Sequence, residues 1–179
     1  QMIFNHAIDT LLERRSIRAY RPEQISEEEL SDILMAARFA PSSYGKQERH
    51  MTVIQNKKFL AEILTATERD KFQSGTSETT QSDPFYNAPT VIVFSAPQKN
   101  IYAHEDAAFA AMNLMTAAHA YGLGSCYIGS ASGLNDPEIL KRLNLPDGYT
   151  PIGCVTVGYA AENAPPVKPR RENDINYIY

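Results

Sequence analysis

The sequence has little cysteine, no long apolar run and no surplus of basic residues, and each shortage excludes something. The only cysteines are Cys126 and Cys154. Each lies in an apolar stretch, so both read as small buried hydrophobes instead of a disulfide framework, in keeping with a reducing compartment. Nothing approaches the run of about 18 apolar residues that a membrane-spanning helix needs. The N-terminus lacks the basic-then-apolar layout of a signal peptide, so a cytoplasmic location is expected. The net charge is -4 and the isoelectric point about 5.6. Nucleic-acid binders usually carry a basic surplus, so neither a nucleic acid nor a membrane is expected as a partner.

Several chemical signatures are also missing. Gly122 and Gly124 begin a dinucleotide-binding pattern, but Tyr127 stands where its third glycine belongs, and the pair follows a helix instead of a strand. There is no phosphate-binding G-x-x-x-x-G-K-[ST]. His6, His50, His104 and His119 show no metal-ligand spacing, so no metal is expected. Gly129-Ser130-Ala131-Ser132-Gly133 has alanine where a nucleophile elbow needs its nucleophile, which leaves a hydrolase unsupported.

What is present is ordinary for one globular domain. The chain has 179 residues, 43% apolar and 21% charged, and reads as a single unit over 1–179. Apolar spacing predicts a helix over 4–15 carrying Ala7, Ile8, Leu11 and Leu12. Ser26 and Glu29 form a capping box opening a second helix that Pro41 stops. A strand is predicted over 51–55 and a helix over 57–69. Residues 71–83 read as a polar loop, a candidate lid. A buried strand over 89–94 precedes the longest helix, 102–121, which is small and apolar all round and so predicted to be buried on every side, at the middle of a subunit interface. Gly122 ends it. Strands over 125–128 and 151–157 flank a short helix over 136–143. The tail from about 160 is proline-rich, then basic. It has no core of its own and is expected to lie on another surface. Strands separated by helices without regular βαβ alternation indicate an α+β fold.

Arg14-Arg15-Ser16-Ile17-Arg18 is the most informative run. Guanidinium forks bind phosphate oxygens in bidentate fashion and serine adds a hydrogen bond, although a solvated basic turn would look similar. A second basic cluster, Lys168-Pro169-Arg170-Arg171, lies near the other end. The two could meet on one anion if the fold or a partner subunit joins them. Pro41-Ser42-Ser43-Tyr44-Gly45-Lys46-Gln47 carries hydroxyls and an amide suited to a heterocycle's polar edge, and equally to a plain turn. Gly124 to Gly129 could bring backbone N–H groups close to a flat ring, or form a buried strand with a glycine bend.

Taken in order, R-R-S-I-R, A-P-S-S-x-x-x-Q, N-A-P-T-V-I-V, G-L-G-S-C-Y-I-G and V-G-Y-A followed by K-P-R-R resemble the nitroreductase family of FMN-dependent enzymes, from about Ala7 to Arg171. The resemblance implies a central, mostly antiparallel sheet flanked by helices in an intertwined homodimer, with the tail wrapping the partner subunit. It implies that Arg14, Arg15, Ser16 and Arg18 hold the FMN phosphate, joined by Lys168 and Arg170. It implies that Pro41, Ser42, Ser43 and Gln47 reach the isoalloxazine from the other subunit, and that Tyr127, Ile128, Gly129 and Ser130 lie over the ring near N5. The expected activity is NAD(P)H-dependent reduction of flat small-molecule acceptors, nitroaromatics or quinones, by ping-pong kinetics, with the chemistry carried by FMN and no catalytic side chain. Alternatives are a specialised flavin-chemistry branch of the family, or an FMN-binding or sensing protein. Two departures stand out. Gly45 replaces an asparagine common in relatives, and Glu48-Arg49 replaces a Pro-Trp or Pro-His pair.

Overall fold

The computed structural model describes residues 5–75, 83–129 and 131–179. Its helices are α1 (His6–Glu13), α2 (Glu27–Arg38), α3 (Lys57–Gln73), α4 (Ala103–Ala120) and α5 (Pro137–Leu143). Its strands are β1 (His50–Ile54), β2 (Thr90–Pro97), β3 (Gly124–Ile128) and β4 (Tyr149–Gly158). The strands form one antiparallel sheet in the order β1-β2-β4-β3, as an α+β fold requires. Among the described residues no helix is long and apolar enough to cross a membrane.

Helices cover both faces of the sheet. Ile92, Phe94, Val155 and Val157 point to one side, where Ile33 and Ala37 of α2 and the small residues of α4 meet them. Val91, Val93, Cys126 and Cys154 point to the other, against Phe59 and Ile63 of α3 and Ile139 and Leu143 of α5. All of β2 is buried, which is why residues 91–94 are a continuous apolar run instead of an alternation. The two cysteines are free and buried. Burial pushes the Cys154 thiol up to about 12.

Local chemistry sets the helix starts. The Asn5 side chain accepts from the N–H groups of Ala7 and Ile8. Ser26 and Glu29 form the reciprocal capping box, and Asn56 and Asp136 cap α3 and α5. Gly122, at φ +75°, closes the turn after α4.

Several expectations need correction. Helix α1 stops at Glu13, because Arg14 turns to extended backbone (ψ 136°) to run beside the sheet. Helix α3 continues through Lys71 to Gln73, taking the first residues of the expected loop: straight-chain residues favour helix and the first breaker is Gly75. Residues 76–82 of that loop lie outside the described residues. Strand β2 runs on to Pro97 because Ser95 to Pro97 pair with Tyr149 to Pro151, which also lengthens β4. Helix α4 is buried on one face only by its own chain. Within one subunit Phe109 and Met112 are exposed, while Ala107, Ala110, Ala111 and Leu114 are buried.

Candidate functional site

After α1 the chain forms a partial fifth strand beside β3. Ser16 bridges Ser125 in parallel, and the Ile17 N–H donates to the Ser125 carbonyl at 3.0 Å. A Cβ on Gly124 would come within 2.9 Å of Ile17 Cγ2. That glycine is therefore explained by the flat packing of Ile17, not by approach to a ring. The buried Tyr20 hydroxyl bonds the Ile17 carbonyl at 2.7 Å and Thr156 Oγ1 at 2.8 Å, and burial holds its pKa well above the ordinary value.

The arginines of this segment divide by what they touch. Arg15 Nη1 donates to the carbonyls of Leu12 and Arg14, both at 2.7 Å, and so closes the end of α1. Arg14 differs. Its Nε and Nη1 are shut off from solvent with no hydrogen-bond partner, and it is the only charged side chain in that condition among the described residues. Buried donors without partners are costly, so this guanidinium could take an acceptor. Arg18 is exposed, and its backbone N–H donates to Glu162 Oε1 at 2.7 Å.

Further along the same edge, β3 presents Tyr127 and Gly129. The Tyr127 ring lies across Gly153: a Cβ there would meet its hydroxyl oxygen at 2.2 Å. Burial, then nearby Cys154, raises the Tyr127 pKa. A Cβ on Gly129 would meet nothing nearer than Tyr127 at 3.9 Å, leaving room for a flat group beside the backbone. Ile128 sends its side chain into the core under α3 and α5, so its backbone is what it can offer a ligand. Ser130 lies outside the described residues. Four residue steps of extended chain, about 13 Å, separate Ser125 from Gly129.

The loop 41–47 lies elsewhere. It leaves α2 and enters β1, the opposite edge strand, with Tyr44, Gly45 and Gln47 all at positive φ. The Gln47 N–H donates to Ser42 Oγ at 3.0 Å. A cleft of about 700 Å³ opens beside it, lined by Phe39, Pro41, Ser42, Gln47 and Arg49 among others. The register puts the start of β1, the end of β2, the start of β4 and the end of β3 at the same end of the sheet. Three strand spacings, about 14 Å, still separate the two edges. Within one chain the loop 41–47 and the edge from Arg14 to Gly129 therefore do not meet. Lys168 and Arg170 belong to neither: they lie on the exposed tail.

Two residues of this region have roles that the sequence did not disclose. Arg49, one of the departures noted above, donates to the carbonyls of Pro41 (2.6 Å) and Ala40, with longer contacts to those of Ala37, Arg38 and Asp106. It caps the C-terminus of α2 in place of solvent. Burial lowers its pKa, and Asp106 offsets part of that. Asp106, 1% exposed in the first turn of α4, accepts from both the backbone N–H (2.8 Å) and the hydroxyl (3.0 Å) of Ser43. A signal existed. Residue 106 falls on the stripe 103, 107, 110, 111 and 114 that α4 buries, and a carboxylate in such a stripe needs a partner.

The sequence matches the family model described as Nitroreductase family over residues 11–159. A nitroreductase from Bacteroides fragilis, solved with bound FMN, is 32% identical, with 98% of this chain and 100% of that one covered at a TM-score of 0.83. An FMN-dependent nitroreductase from Clostridium difficile is 30% identical, with 97% and 99% covered at a TM-score of 0.85. An FMN reductase [NAD(P)H] from Bacillus subtilis is 26% identical over 89% of this chain and 68% of its own length.

Proposed function

The chain belongs to the nitroreductase family, and from that membership and these two segments we propose an FMN-dependent oxidoreductase that uses NAD(P)H to reduce flat, electron-poor acceptors such as nitroaromatics or quinones. The observation that carries this reading is Arg14, whose Nε and Nη1 are buried without an acceptor two residues before the Ser16–Ser125 bridge, on the sheet edge that also carries the open backbone of Gly129 about 13 Å further along. A phosphate supplies the acceptor and a flat ring fits the open backbone, so the residues present fit FMN. The FMN bound to the Bacteroides fragilis relative supports the same cofactor here, and the Bacillus subtilis FMN reductase supports NAD(P)H as the electron donor.

In this reading Arg14, Ser16 and Arg18 hold the phosphate, joined by Lys168 and Arg170 of the tail, while Arg15 stands behind them as a cap. Tyr127, the backbone of Ile128, Gly129 and Ser130 border the ring. Pro41, Ser42 and Gln47 reach it from a second copy, because within one chain they sit at the far edge of the sheet, while Ser43 is turned back to Asp106. The chemistry supplied by FMN when bound is hydride uptake from a nicotinamide, then electron delivery to an acceptor at the same face, a ping-pong cycle. The chain's own part is to bind, orient and shield.

An intertwined homodimer completes the site. α1 buries no residue within one subunit and exposes Ile8, Leu11 and Leu12 beside the bare face of α4. The tail, exposed throughout, adds Val167, Ile175 and Ile178. Exposed apolar side chains on two touching helices are the kind of surface that an interface covers. The free buried thiols suit a reducing cytoplasm.

Anaerobic stopped-flow mixing of the purified, flavin-loaded protein with NADH or NADPH tests the reading. Prompt bleaching of the yellow colour by either nicotinamide, then recovery on adding a quinone or nitroaromatic, is the expected result. Colourless protein would overturn the cofactor assignment. Yellow protein that neither nicotinamide bleaches would leave an FMN-binding protein and overturn the reductase.

A further inference from the structure

The two adjacent hydroxyls of the 41–47 loop are not equivalent. Ser43 gives both of its donors, the backbone N–H at 2.8 Å and the hydroxyl proton at 3.0 Å, to one oxygen of Asp106. Ser42 instead receives: the Gln47 N–H donates to its Oγ at 3.0 Å. No bond among the described residues uses the Ser42 proton, and Ser42 lines the 700 Å³ cleft together with Pro41 and Gln47. Ser43 lies on the other side of the loop, lining a separate recess with Tyr44 and Tyr102.

Asp106 is placed to make this arrangement rigid. It is buried in the first turn of α4, so it cannot follow a moving loop. Arg49 holds the same loop from its other side, through the Pro41 carbonyl at 2.6 Å and a 3.3 Å contact to the Asp106 carbonyl. The loop needs such anchors, because Tyr44 and Gln47 both sit at positive φ, where side chains are strained.

Resting on the FMN reading above, we infer that Asp106 is a positioning residue that turns Ser43 into the anchor of this loop and leaves Ser42 as the hydroxyl donor offered to a carbonyl of the FMN ring. Ser43 has no proton left to give. Ser42 has one, aimed from a loop fixed to α4 and to the end of α2. A donor at a flavin carbonyl stabilises the electron-rich reduced ring more than the oxidised ring, so it raises the midpoint potential.

The test is a set of midpoint potentials measured on FMN-loaded protein. Ser42→Ala should shift the balance of reduced and oxidised flavin about tenfold toward the oxidised form, roughly 30 mV lower for a two-electron couple. Ser43→Ala keeps the backbone bond to Asp106 and should leave the potential within about 10 mV of wild type, a third of that tenfold step. Asp106→Ala releases both bonds and should lower the potential as Ser42→Ala does. The double variant should fall no further than either single, because both remove the same donor. Equal shifts for Ser42→Ala and Ser43→Ala, no shift for Ser42→Ala, or additive shifts in the double variant would each overturn the assignment. Should Asp106→Ala fail to hold FMN, the contrast between the two serine variants decides alone. Wild-type protein that takes up no FMN would instead sink the flavin reading itself.

Discussion

The Tyr127 ring occupies the space a side chain would fill at Gly153, with its hydroxyl oxygen 2.2 Å from where a Cβ would stand. The residues sit on neighbouring strands, β3 and β4, and the absence of a side chain on one lets the other lie flat. Tyr127 is 39% exposed, so its tip can swing outward. Gly153→Ala should therefore cost only about 1 kcal/mol of stability while lifting the ring from the ledge beside Gly129. If Tyr127 borders the flavin, Gly153→Ala and Tyr127→Ala should weaken FMN binding by similar factors. Flavin fluorescence titration checks this. Unchanged FMN affinity in both variants would remove Tyr127 from the site.

Arg14 presents a conflict between stability and binding. Its Nε and Nη1 are buried without hydrogen-bond partners, and a buried donor left unpaired costs about 1–3 kcal/mol. Arg14→Met keeps much of the apolar stem and removes the unpaired charge. The FMN-free variant should unfold at a higher temperature than FMN-free wild type, by the same mechanism that makes many functional sites locally destabilising. The same change should weaken FMN binding by about 1.5–3 kcal/mol, the range for hydrogen bonds to charged groups. Calorimetry with and without FMN reads both signs. A variant less stable in both states would make Arg14 a structural residue.

Much of this was legible in the chain, for local reasons. The Ser26–Glu29 capping box, the Asp136 cap before Pro137 and the apolar run of β2 are each set by residues a few positions apart, and sequence reading found the helices and strands they define. The two candidate segments, 14–18 and 41–47, stand out as residue types, because guanidinium clusters and hydroxyl-rich loops are written contiguously. What was not legible depends on distant pairs. Nothing local says that Gly124 makes room for Ile17, or that Gly153 makes room for Tyr127. Asp106 meets Ser43 across more than sixty positions, and Arg49, a departure from the family's usual pair, closes the end of α2. Strand order, which sets the two segments at opposite edges, is likewise a property of the assembled sheet.

The buried protonated groups set the alkaline limit of stability. Cys154 is fully buried and its thiol is pushed up to about 12, and Tyr20 is raised as well. Both are acids that stay neutral in the folded chain at pH values where the unfolded chain loses the proton. Their contribution is complete below the unfolded pKa and is lost as pH rises toward the folded value. Unfolding midpoints in denaturant should fall steeply above about pH 9, where an unfolded thiol begins to ionise. Cys154→Ala should be less stable at neutral pH through lost packing, yet show a shallower decline between about pH 9 and 11. Parallel slopes for the two proteins would mean that Cys154 does not drive the alkaline loss.

The exposed face of α4 tests the proposed assembly most directly. Phe109 is 48% and Met112 36% exposed, on a helix whose opposite face is packed with alanines. Leu11 and Leu12 of the neighbouring α1 are likewise uncovered. If a second copy covers this surface, Phe109→Glu buries a carboxylate without a partner in each subunit, at about 3–5 kcal/mol per charge. In a lone subunit the same glutamate would sit in water and cost almost nothing. The variant should therefore elute as a folded monomer where wild type elutes as a dimer, with unchanged helical circular dichroism. It should also lose FMN although no flavin-contacting residue is touched, because each half-site needs the loop 41–47 of another copy. Light scattering together with the flavin absorbance of the same peak reads both. A wild-type protein that is monomeric at micromolar concentration and still carries FMN would show that one chain can hold the cofactor alone, and both the dimer and the shared site would fall together.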